Sequence, residues 1–330
     1  MSTQKHIAIV ATGGTIAAQN PEQTALGDYA VDQPIEALLT ATPALAETAR
    51  LSSHEVCNID SREMSFALQH QLISQVQRLL ANPDVDGVVI THGTDTLEES
   101  ALLLHWCIKS TKPVVITGAM RPASALSADG PLNLYNAVLV ARSADAHGLG
   151  TLVVLNDEIY SARFVQKTHT STPDAFTAPP TGAMGLVSNG QVYINTAPRR
   201  PFGMNNALSL PKKVEAWPQV DIIFDHVDAN PKLYTASVLS GAQAIVIAAL
   251  GNGSLSPAAQ AGTQYAAARN ILCIRASRIP NGAVSPSQQD DDFHTLAAHQ
   301  FHATAARTLT ALALANKATK GEIGYYLRHY

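Results

Sequence analysis

The sequence predicts a two-domain α/β protein, with a larger N-terminal domain on a mainly parallel, mixed sheet flanked by helices and a smaller C-terminal parallel α/β domain. Short apolar runs alternate with amphipathic helical patterns along the chain, which is typical of βαβ units. A proline- and arginine-rich stretch without periodicity, 196–218, interrupts that alternation. The chain has 330 residues, 46% of them hydrophobic, which is enough for two cores. We therefore expect an N-terminal domain over 1–195, a linker over 196–218 and a C-terminal domain over 219–330.

Composition and charge favour a small-molecule partner. The formal net charge is −4, without a basic or acidic block, which argues against nucleic acid or a membrane surface as the main partner. The chain lacks an apolar run long enough to span a membrane and a signal-peptide pattern at its start, so we expect a cytoplasmic protein. The periplasm is the alternative if a leader has been removed. Cys57, Cys107 and Cys273 are isolated, and we expect them to be small buried residues.

The first apolar run, 6–11, predicts a buried strand that ends in a glycine turn. Gly13 and Gly14 permit a sharp turn and a close approach, and Thr15 places a hydroxyl where that turn opens. Ligands of open α/β sheets bind at the carboxyl ends of strands. Thr15 is therefore a candidate catalytic residue, the alternative being a tight strand-to-helix connection.

A polar loop and a helix come next. Residues 19–33 lack periodicity and contain a single aromatic residue, Tyr29, so we interpret them as a mobile lid beside the strand end. The alternative is that Tyr29 makes only a surface contact. Apolar residues three or four apart over 65–80 predict an amphipathic helix with a structural role.

The next buried strand ends in a polar turn that opens into a helix, with Thr94 and Asp95 at its start. Free N–H groups and a partial positive charge at a helix N-terminus suit a carboxylate or an oxyanion. The alternative is that Asp95 or Thr96 only caps the helix, with Glu98 or Glu99 completing a capping box.

Two further strands complete the predicted N-terminal sheet. The run 112–117 leads into a polar loop in which we expect Arg121 and Asp129 to pair as a structural brace. The run 151–156 is followed by Lys167 among small hydroxyl residues. Most such lysines are solvated, but a buried one can lose its proton and act as a base.

The predicted C-terminal domain has three apolar strands and two helical patterns, followed by an acidic cluster. The strands are expected over 220–224, 244–250 and 271–276, and the helices over roughly 232–240 and 257–270. The cluster is Asp290, Asp291, Asp292 and His294, whose spacing matches neither a zinc nor a calcium site.

We expect neither a metal nor a cofactor. Phosphate-cradling motifs of the GxGxxG and GxxxxGK[ST] types do not occur. What remains is a set of threonines at strand ends with an aspartate, a lysine and a tyrosine. This set suits nucleophilic catalysis by a hydroxyl that a neutral lysine activates.

These residues resemble the bacterial type II L-asparaginases and the related glutaminase-asparaginases over essentially the whole chain. Segments 11–17 and 91–96 match the two signatures of that family, and 117–122 and 127–131 resemble its further motifs. The resemblance implies hydrolysis of L-asparagine to L-aspartate and ammonia through a threonine nucleophile and a β-aspartyl ester. The alternative is a glutaminase-asparaginase with comparable activity on L-glutamine.

The same resemblance implies roles for individual residues. Thr15 is expected to be the nucleophile, Tyr29 the lid residue that activates or orients it, and Thr94, Asp95 and Lys167 the second catalytic group.

Substrate binding and assembly follow from the resemblance as well. Ser61 is expected to hold the α-carboxylate and Asp95, beside Thr94, the α-ammonium. Asn252 is expected to reach the site of a neighbouring subunit from the C-terminal domain. This implies an intimate homodimer, paired into a homotetramer.

Two positions depart from the family pattern. Arg62 stands where relatives carry glutamine or glutamate, and Gln289 where many carry a glutamate that binds the substrate ammonium. We expect weaker recognition of the amino group, partly offset if Arg62 grips the α-carboxylate. Asn82 and Ser110 occupy the positions of a cysteine pair that forms a disulfide in some periplasmic relatives.

Two other classes of protein share these features. The amidase subunit of a tRNA amidotransferase has the same signatures, but it resembles a longer chain with an additional N-terminal domain. A ligand-binding protein that kept only the fold would not need the Thr15, Thr94, Asp95 and Lys167 set that this sequence retains.

Overall fold

The computed structural model describes residues 4–24, 30–31 and 33–330. The chain divides into two compact units, Met1–Asn205 and Asn206–Tyr330, each built on a sheet of its own. The two-domain α/β class predicted from the sequence is confirmed.

The first unit forms an eight-stranded sheet with two further two-stranded pairs among its described residues. Its strands are β1 (His6–Gly13), β2 (Ala18–Gln19), β3 (Ala30–Val31), β4 (Arg50–Ile59), β5 (Gly87–Thr91), β6 (Val114–Thr117), β7 (Thr151–Leu155), β8 (Glu158–Ser161), β9 (Gln166–Lys167), β10 (Phe176–Thr177), β11 (Gly185–Ser188) and β12 (Gln191–Ile194). Its helices are α1 (Ile35–Thr40), α2 (Ala44–Thr48), α3 (Phe66–Ala81), α4 (Leu97–Cys107) and α5 (Gly130–Arg142).

The large sheet is mixed, as predicted. Strands β4, β1, β5, β6 and β7 lie side by side in parallel, and β8, β11 and β12 continue the sheet in antiparallel pairings. The carboxyl ends of β1, β5 and β6 therefore meet at one edge, which is where ligands of parallel sheets bind.

Burial on both faces explains the continuous apolar runs of the central strands. In β1, Ile7 and Ile9 belong to a core with Val89, Val115 and, from α5, Leu134. The intervening residues of β1 point to the opposite face because strand side chains alternate, and they are also buried. A strand covered on both sides has no polar face to show in its sequence.

The helix predicted over 65–80 is confirmed as α3. It begins at Phe66, and the hydroxyl of its N-cap residue Ser65 accepts the Leu68 N–H at 3.3 Å. That bond satisfies one of the N–H groups left unpaired at a helix start.

The second unit contains a four-stranded parallel sheet. Its strands, in sheet order, are β13 (Val220–Phe224), β14 (Ala244–Ala249), β15 (Leu272–Ser277) and β16 (Thr295–Ala297). Its helices are α6 (Lys232–Leu239), α7 (Pro257–Ala267), α8 (Gln288–Asp292), α9 (Ala303–Ala315) and α10 (Lys320–His329).

The strands and helices predicted in the C-terminal domain are present as β13, α6, β14, α7 and β15. Strand β16 and helices α8, α9 and α10 lie outside the predicted elements. Strand β16 is only three residues long, and α9 is buried over most of its surface, so it lacks a strong amphipathic pattern. Residues 196–218, all of them described, lie outside every helix and strand apart from two short 3-10 turns.

The three cysteines are free thiols: Cys107 and Cys273 are buried and Cys57 is half-buried. Burial raises the pKa of the Cys57 thiol to about 11 and the pKa values of Cys107 and Cys273 to about 12. Across the described residues, every helix is too short or too polar to cross a membrane.

Candidate active site

The candidate site is built where the turns after β1 and β5 pack against each other. A Cβ on Gly14, whose φ is 84°, would lie 2.3 Å from the N and Cα atoms of Gly93. A Cβ on Gly93 would lie 2.7 Å from Ser61 Oγ. These positions accept only glycine without displacement, and the close approach brings the turns that carry Thr15, Ser61 and Thr94 together.

The end of β6 joins the same cluster. A Cβ on Gly118 would lie 2.5 Å from the carbonyl oxygen of His92 and 3.2 Å from Thr94 Cγ2. The turns that follow β1, β5 and β6 thus meet at one place. The hydroxyl of Thr12 also donates to the carbonyl of Thr91 at 2.9 Å, which ties the end of β1 to that of β5.

Thr15 begins a short 3-10 turn directly after this contact. Its side chain is close to fully buried, with 5% of the residue exposed. Tyr29, the predicted lid residue, lies outside the described residues. The chain on either side of it forms the β2 and β3 pair, in which Ala18 is opposite Val31.

Lys167 joins the two candidate residues on the β5 turn. Its Nζ donates to Thr94 Oγ1 at 2.9 Å and to Asp95 Oδ1 at 2.6 Å. Thr94 is buried, whereas 61% of the Asp95 side chain is exposed. The carboxylate therefore reaches towards solvent, while the hydroxyl and the ammonium meet inside the protein.

The backbone of Lys167 contacts a further acidic residue. Its N–H donates to Glu98 Oε2 at 2.7 Å. Burial raises the pKa of Glu98 to about 7; the hydrogen bond from Lys167 opposes that shift and Glu99 adds to it. The sequence indicated Glu98 only as a possible member of a capping box, because its partner lies far away along the chain.

The capping interpretation of the β5 turn is wrong. Thr96 is the N-cap residue of α4, but its hydroxyl donates to the carbonyl of Ser61 at 2.9 Å instead of accepting an N–H group of the helix. The Asp95 carboxylate binds Lys167, and the Asp95 N–H donates to Ser61 Oγ at 3.2 Å. These side chains bind across the site because the neighbouring strand ends lie so close.

Arg62 follows Ser61 in the chain but, unlike the buried cluster, it lies at the surface. Its side chain is 77% exposed, and its Nε lies 3.4 Å from Asp60 Oδ2. Ser61 itself is buried. The two adjacent residues predicted to bind a carboxylate thus differ in their surroundings.

A neutral histidine lies beneath the β5 turn. Burial lowers the pKa of His92 to about 4, although its bond to Gly93 opposes the shift. Its Nδ1 carries the proton, because the partner at 2.7 Å is the carbonyl of Gly93, and its Nε2 accepts the Ser100 hydroxyl at 2.9 Å. Gln69 in turn donates to Ser100 at 3.2 Å. This chain of bonds fixes the orientation of the peptide that precedes Thr94.

The predicted Arg121–Asp129 brace takes a different form. The Asp129 carboxylate accepts the backbone N–H groups of Met120 at 2.9 Å and Arg121 at 3.0 Å, and the Arg121 guanidinium donates to the carbonyl of Ser127. The loop after β6 leaves its N–H groups without ladder partners, and the carboxylate satisfies them.

In the second unit, Arg275 connects the loop that carries Asn252 with helix α8, which carries Gln289. Asn252 Oδ1 accepts the Ser285 N–H at 2.9 Å, and Gln289 Oε1 accepts the Leu255 N–H at 3.1 Å. Arg275 is fully buried and donates to the carbonyl of Gly253 at 2.8 Å.

Asp290 also accepts from Arg275, from its Nε at 2.9 Å and from its Nη2 at 2.7 Å. Burial would raise the pKa of Asp290, but hydrogen bonds from Arg275, Ser287 and Thr295 outweigh it and hold that pKa below its usual value. The acidic cluster at 290–294 thus contributes its first carboxylate to an ion pair. Among the described residues, groups of three or more potential metal ligands do not occur.

Two family models match the chain: the N-terminal asparaginase domain over 6–200 and the C-terminal glutaminase/asparaginase domain over 219–327. The chain belongs to the asparaginase family. This confirms the family resemblance carried by the two signatures.

Individual members of the asparaginase family are similar over most of their length. L-asparaginase 2 of Bacillus subtilis is 41% identical over 326 residues, which covers 98% of this chain and 86% of that protein. The glutaminase-asparaginase of Pseudomonas fluorescens is 37% identical over 313 residues, covering 94% and 86%. The crystal structure of a probable cytoplasmic L-asparaginase from Campylobacter jejuni matches with a TM-score of 0.92 at 34% identity, over 99% of this chain and 100% of that one. The predicted amidohydrolase is confirmed.

The geometry of this asparaginase-family chain offers two buried hydroxyls on touching turns and one lysine. Lys167 donates to Thr94 while it is an ammonium; once deprotonated, its nitrogen is placed to accept the Thr94 proton. Asp95 Oδ1 accepts a charge-assisted hydrogen bond from the same ammonium at 2.6 Å. The arrangement therefore suits proton transfer through a hydroxyl beside a second, nucleophilic hydroxyl.

Proposed function

We propose that the chain hydrolyses L-asparagine to L-aspartate and ammonia with Thr15 as the nucleophile. The hydrogen bond between Lys167 Nζ and Thr94 Oγ1, at 2.9 Å, carries the proposal. It places a lysine that can act as a base on Thr94, whose turn packs against the turn of Thr15. Membership of the asparaginase family and the names of the two curated relatives support the substrate.

In the proposed reaction, Thr15 Oγ attacks the side-chain amide carbon and a C–O bond forms. The C–N bond then breaks, and the nitrogen leaves as ammonia after taking up a proton. The product is a β-aspartyl ester of Thr15. Water, deprotonated beside Thr94 and Lys167, then attacks the ester carbon and forms a new C–O bond. The ester C–O bond to Thr15 breaks, Thr15 Oγ takes up a proton, and L-aspartate leaves. Tyr29 has the proposed role of activating or orienting Thr15.

Backbone N–H groups near the Thr94 turn would stabilise the oxyanion. Such a donor contributes about 3–4 kcal/mol in other acyl-transfer enzymes. In a trans peptide the C=O and the next N–H point in opposite directions. Because the Gly93 carbonyl accepts from His92, the Thr94 N–H points away from that histidine.

We propose that Ser61, Thr94 and Asp95 bind the amino-acid part of the substrate. Ser61 Oγ accepts the Asp95 N–H, so this bond leaves the Ser61 hydroxyl proton for the α-carboxylate. The exposed Asp95 carboxylate suits the α-ammonium. Compared with the family pattern, Arg62 and Gln289 make the site less negative at two positions. Arg62 has the proposed role of binding the α-carboxylate.

The proposed assembly is a homotetramer, formed as a dimer of intimate dimers, in which Asn252 and Gln289 complete the site of a neighbouring subunit. Its support is the division of the candidate residues: Thr15 and Lys167 belong to the first unit, Asn252 and Gln289 to the second. The cytoplasm is the proposed compartment, which the name of the Campylobacter jejuni enzyme supports. Fractionation of cells by osmotic shock tests that compartment against the periplasm.

The activity is tested by ammonia release from L-asparagine and L-glutamine. The wild type should release ammonia and Thr15→Ala should not, whereas Thr40→Ala, a surface control on α1, should match the wild type. Mass spectrometry of quenched wild type should detect the acyl group on Thr15. A wild type without activity would refute the proposed function, and equal rates for Thr15→Ala would remove Thr15 from it. The ratio of the two rates assigns the preferred amide.

A further inference from the structure

Both ends of Lys167 are held by the same short segment of chain. Its ammonium binds Thr94 at 2.9 Å and Asp95 at 2.6 Å, and its backbone N–H binds Glu98 at 2.7 Å. Those three partners lie on the β5 turn and the first turn of α4. Lys167 is therefore clamped from its backbone and from its side-chain end.

The sheet context of Lys167 makes the backbone contact important. Strand β9 is two residues long and pairs with β10 in a two-stranded sheet separate from the large one. In that pair Lys167 lies opposite Phe176, and the adjoining backbone bond runs from the Thr168 N–H to Ala175 at 2.7 Å. The Glu98 carboxylate is thus what joins the Lys167 backbone to the helix that carries Thr94 and Asp95.

We propose that Glu98 is a positioning residue for the reaction, and that its carboxylate holds the Lys167 backbone so that Nζ reaches Thr94 and Asp95 together. The proposal rests on the proposed role of Lys167. Glu98 acts through Lys167 rather than on the substrate. Neither the family motif nor sequence spacing indicates this contact, since the two residues are 69 positions apart.

The charge of Glu98 matters because a charged acceptor binds an N–H group more strongly than a neutral one. The charges that act on Glu98 are Glu99 on its own helix and Lys167 on β9, with Asp95 on the other side of the ammonium. The pKa of Glu98 is raised to about 7 by burial, so the carboxylate is protonated as the solution becomes mildly acidic. Positioning should weaken over that range.

Two substitutions separate the hydrogen bond from the charge. Glu98→Gln keeps an acceptor oxygen for the Lys167 N–H but cannot ionise, whereas Glu98→Ala removes both. Glu99→Gln is the matched control, because it removes a neighbouring carboxylate of the same helical turn without removing the contact to Lys167. Thermal unfolding of each variant shows that it is folded before its kinetics are compared.

The test is kcat and KM for L-asparagine from about pH 5 to 9. Above neutral pH we expect kcat of Glu98→Gln to fall about 10-fold and that of Glu98→Ala about 10- to 100-fold, with KM within about twofold of the wild type. At acid pH the Glu98→Gln rate should approach that of the wild type, because the native side chain is then neutral too. Glu99→Gln should keep kcat and move the acid limb to lower pH.

Two results would overturn the positioning role. One is a Glu98→Gln enzyme equal to the wild type at every pH, and the other is a loss that does not change with pH, which indicates support of the fold alone. The outcome is separable from the proposed function. A wild type that releases no ammonia refutes that function, whereas an active wild type with an inactive Lys167→Met variant and an unaffected Glu98→Gln variant refutes only the role of Glu98.

Discussion

Replacing Gly14 with alanine tests whether the contact between the two turns holds the candidate site together. Gly14 has φ 84° and ψ −179°, a conformation essentially restricted to glycine, so alanine there costs about 1–3 kcal/mol. The new Cβ would lie 2.3 Å from the backbone of Gly93. Relieving such an overlap costs about 1–3 kcal/mol more. We therefore expect Gly14→Ala to lower the free energy of unfolding by about 2–6 kcal/mol.

Gly148→Ala separates backbone strain from the contact. Gly148 also has a positive φ, 72°, but a Cβ there would meet nothing within 4 Å. We expect this variant to lose only about 1–2 kcal/mol and to keep its activity. Urea unfolding at matched protomer concentration measures both variants, since an oligomer unfolds in a concentration-dependent way. Ammonia release from L-asparagine measures the site.

We expect Gly14→Ala and Gly148→Ala to differ more in their rate of ammonia release than in their free energy of unfolding. Separating the turns moves Thr15 away from Thr94, and a displacement of about 1 Å in a catalytic site can lower the rate about 100-fold. If Gly14→Ala is as stable and as active as Gly148→Ala, the contact with Gly93 does not organise the site, and the reasoning from glycine packing is wrong.

Three further predictions concern assembly, substrate charge and pH. If a neighbouring subunit completes each site, mixing the Thr15→Ala and Asn252→Ala proteins should restore activity, because a mixed dimer contains one site with both native residues. A mixture whose activity equals the sum of the two separate variants contradicts this. Arg62→Gln and Gln289→Glu should each lower KM for L-asparagine. If neither does, the reduced negative charge at these positions does not weaken binding of the substrate amino group. The lowered pKa of His92, about 4, means that the unfolded chain binds a proton there as pH falls below about 6.5. The free energy of unfolding should therefore decrease from pH 6.5 towards pH 4, by about 1.4 kcal/mol for each unit of pKa difference. Urea unfolding of His92→Gln should show a smaller decrease over the same pH range. An equal decrease in the two proteins would count against a buried neutral His92.

The sequence predicts the strand ends of the site well. Each apolar run that ends in glycine and threonine became a buried strand with its turn at the carboxyl edge, because burial on both faces and the need for glycine leave strong local signals. These local signals are therefore enough to predict the turns that carry Thr15 and Thr94.

Contacts between distant side chains could not be predicted in the same way. Glu98 appeared as a capping residue because helix capping is a local pattern, whereas its carboxylate binds the backbone of Lys167. Asp129 likewise binds backbone N–H groups instead of the Arg121 side chain. Arg275 carries no pattern at all in the sequence, yet it is fully buried between two loops. Such pairings depend on how close the strand ends come, which spacing along the chain does not specify.

The raised pKa values of the three cysteines have a practical consequence for measuring subunit exchange. At neutral pH a thiol of pKa about 11 is a thiolate in about one molecule in ten thousand, and only the thiolate reacts quickly with maleimides. Cys57, Cys107 and Cys273 should therefore label slowly in the folded protein. A cysteine introduced at an exposed position such as Gly321 would accept a fluorescent dye selectively. Protomers labelled in this way with donor and acceptor dyes would report mixing by energy transfer, with every native thiol left in place.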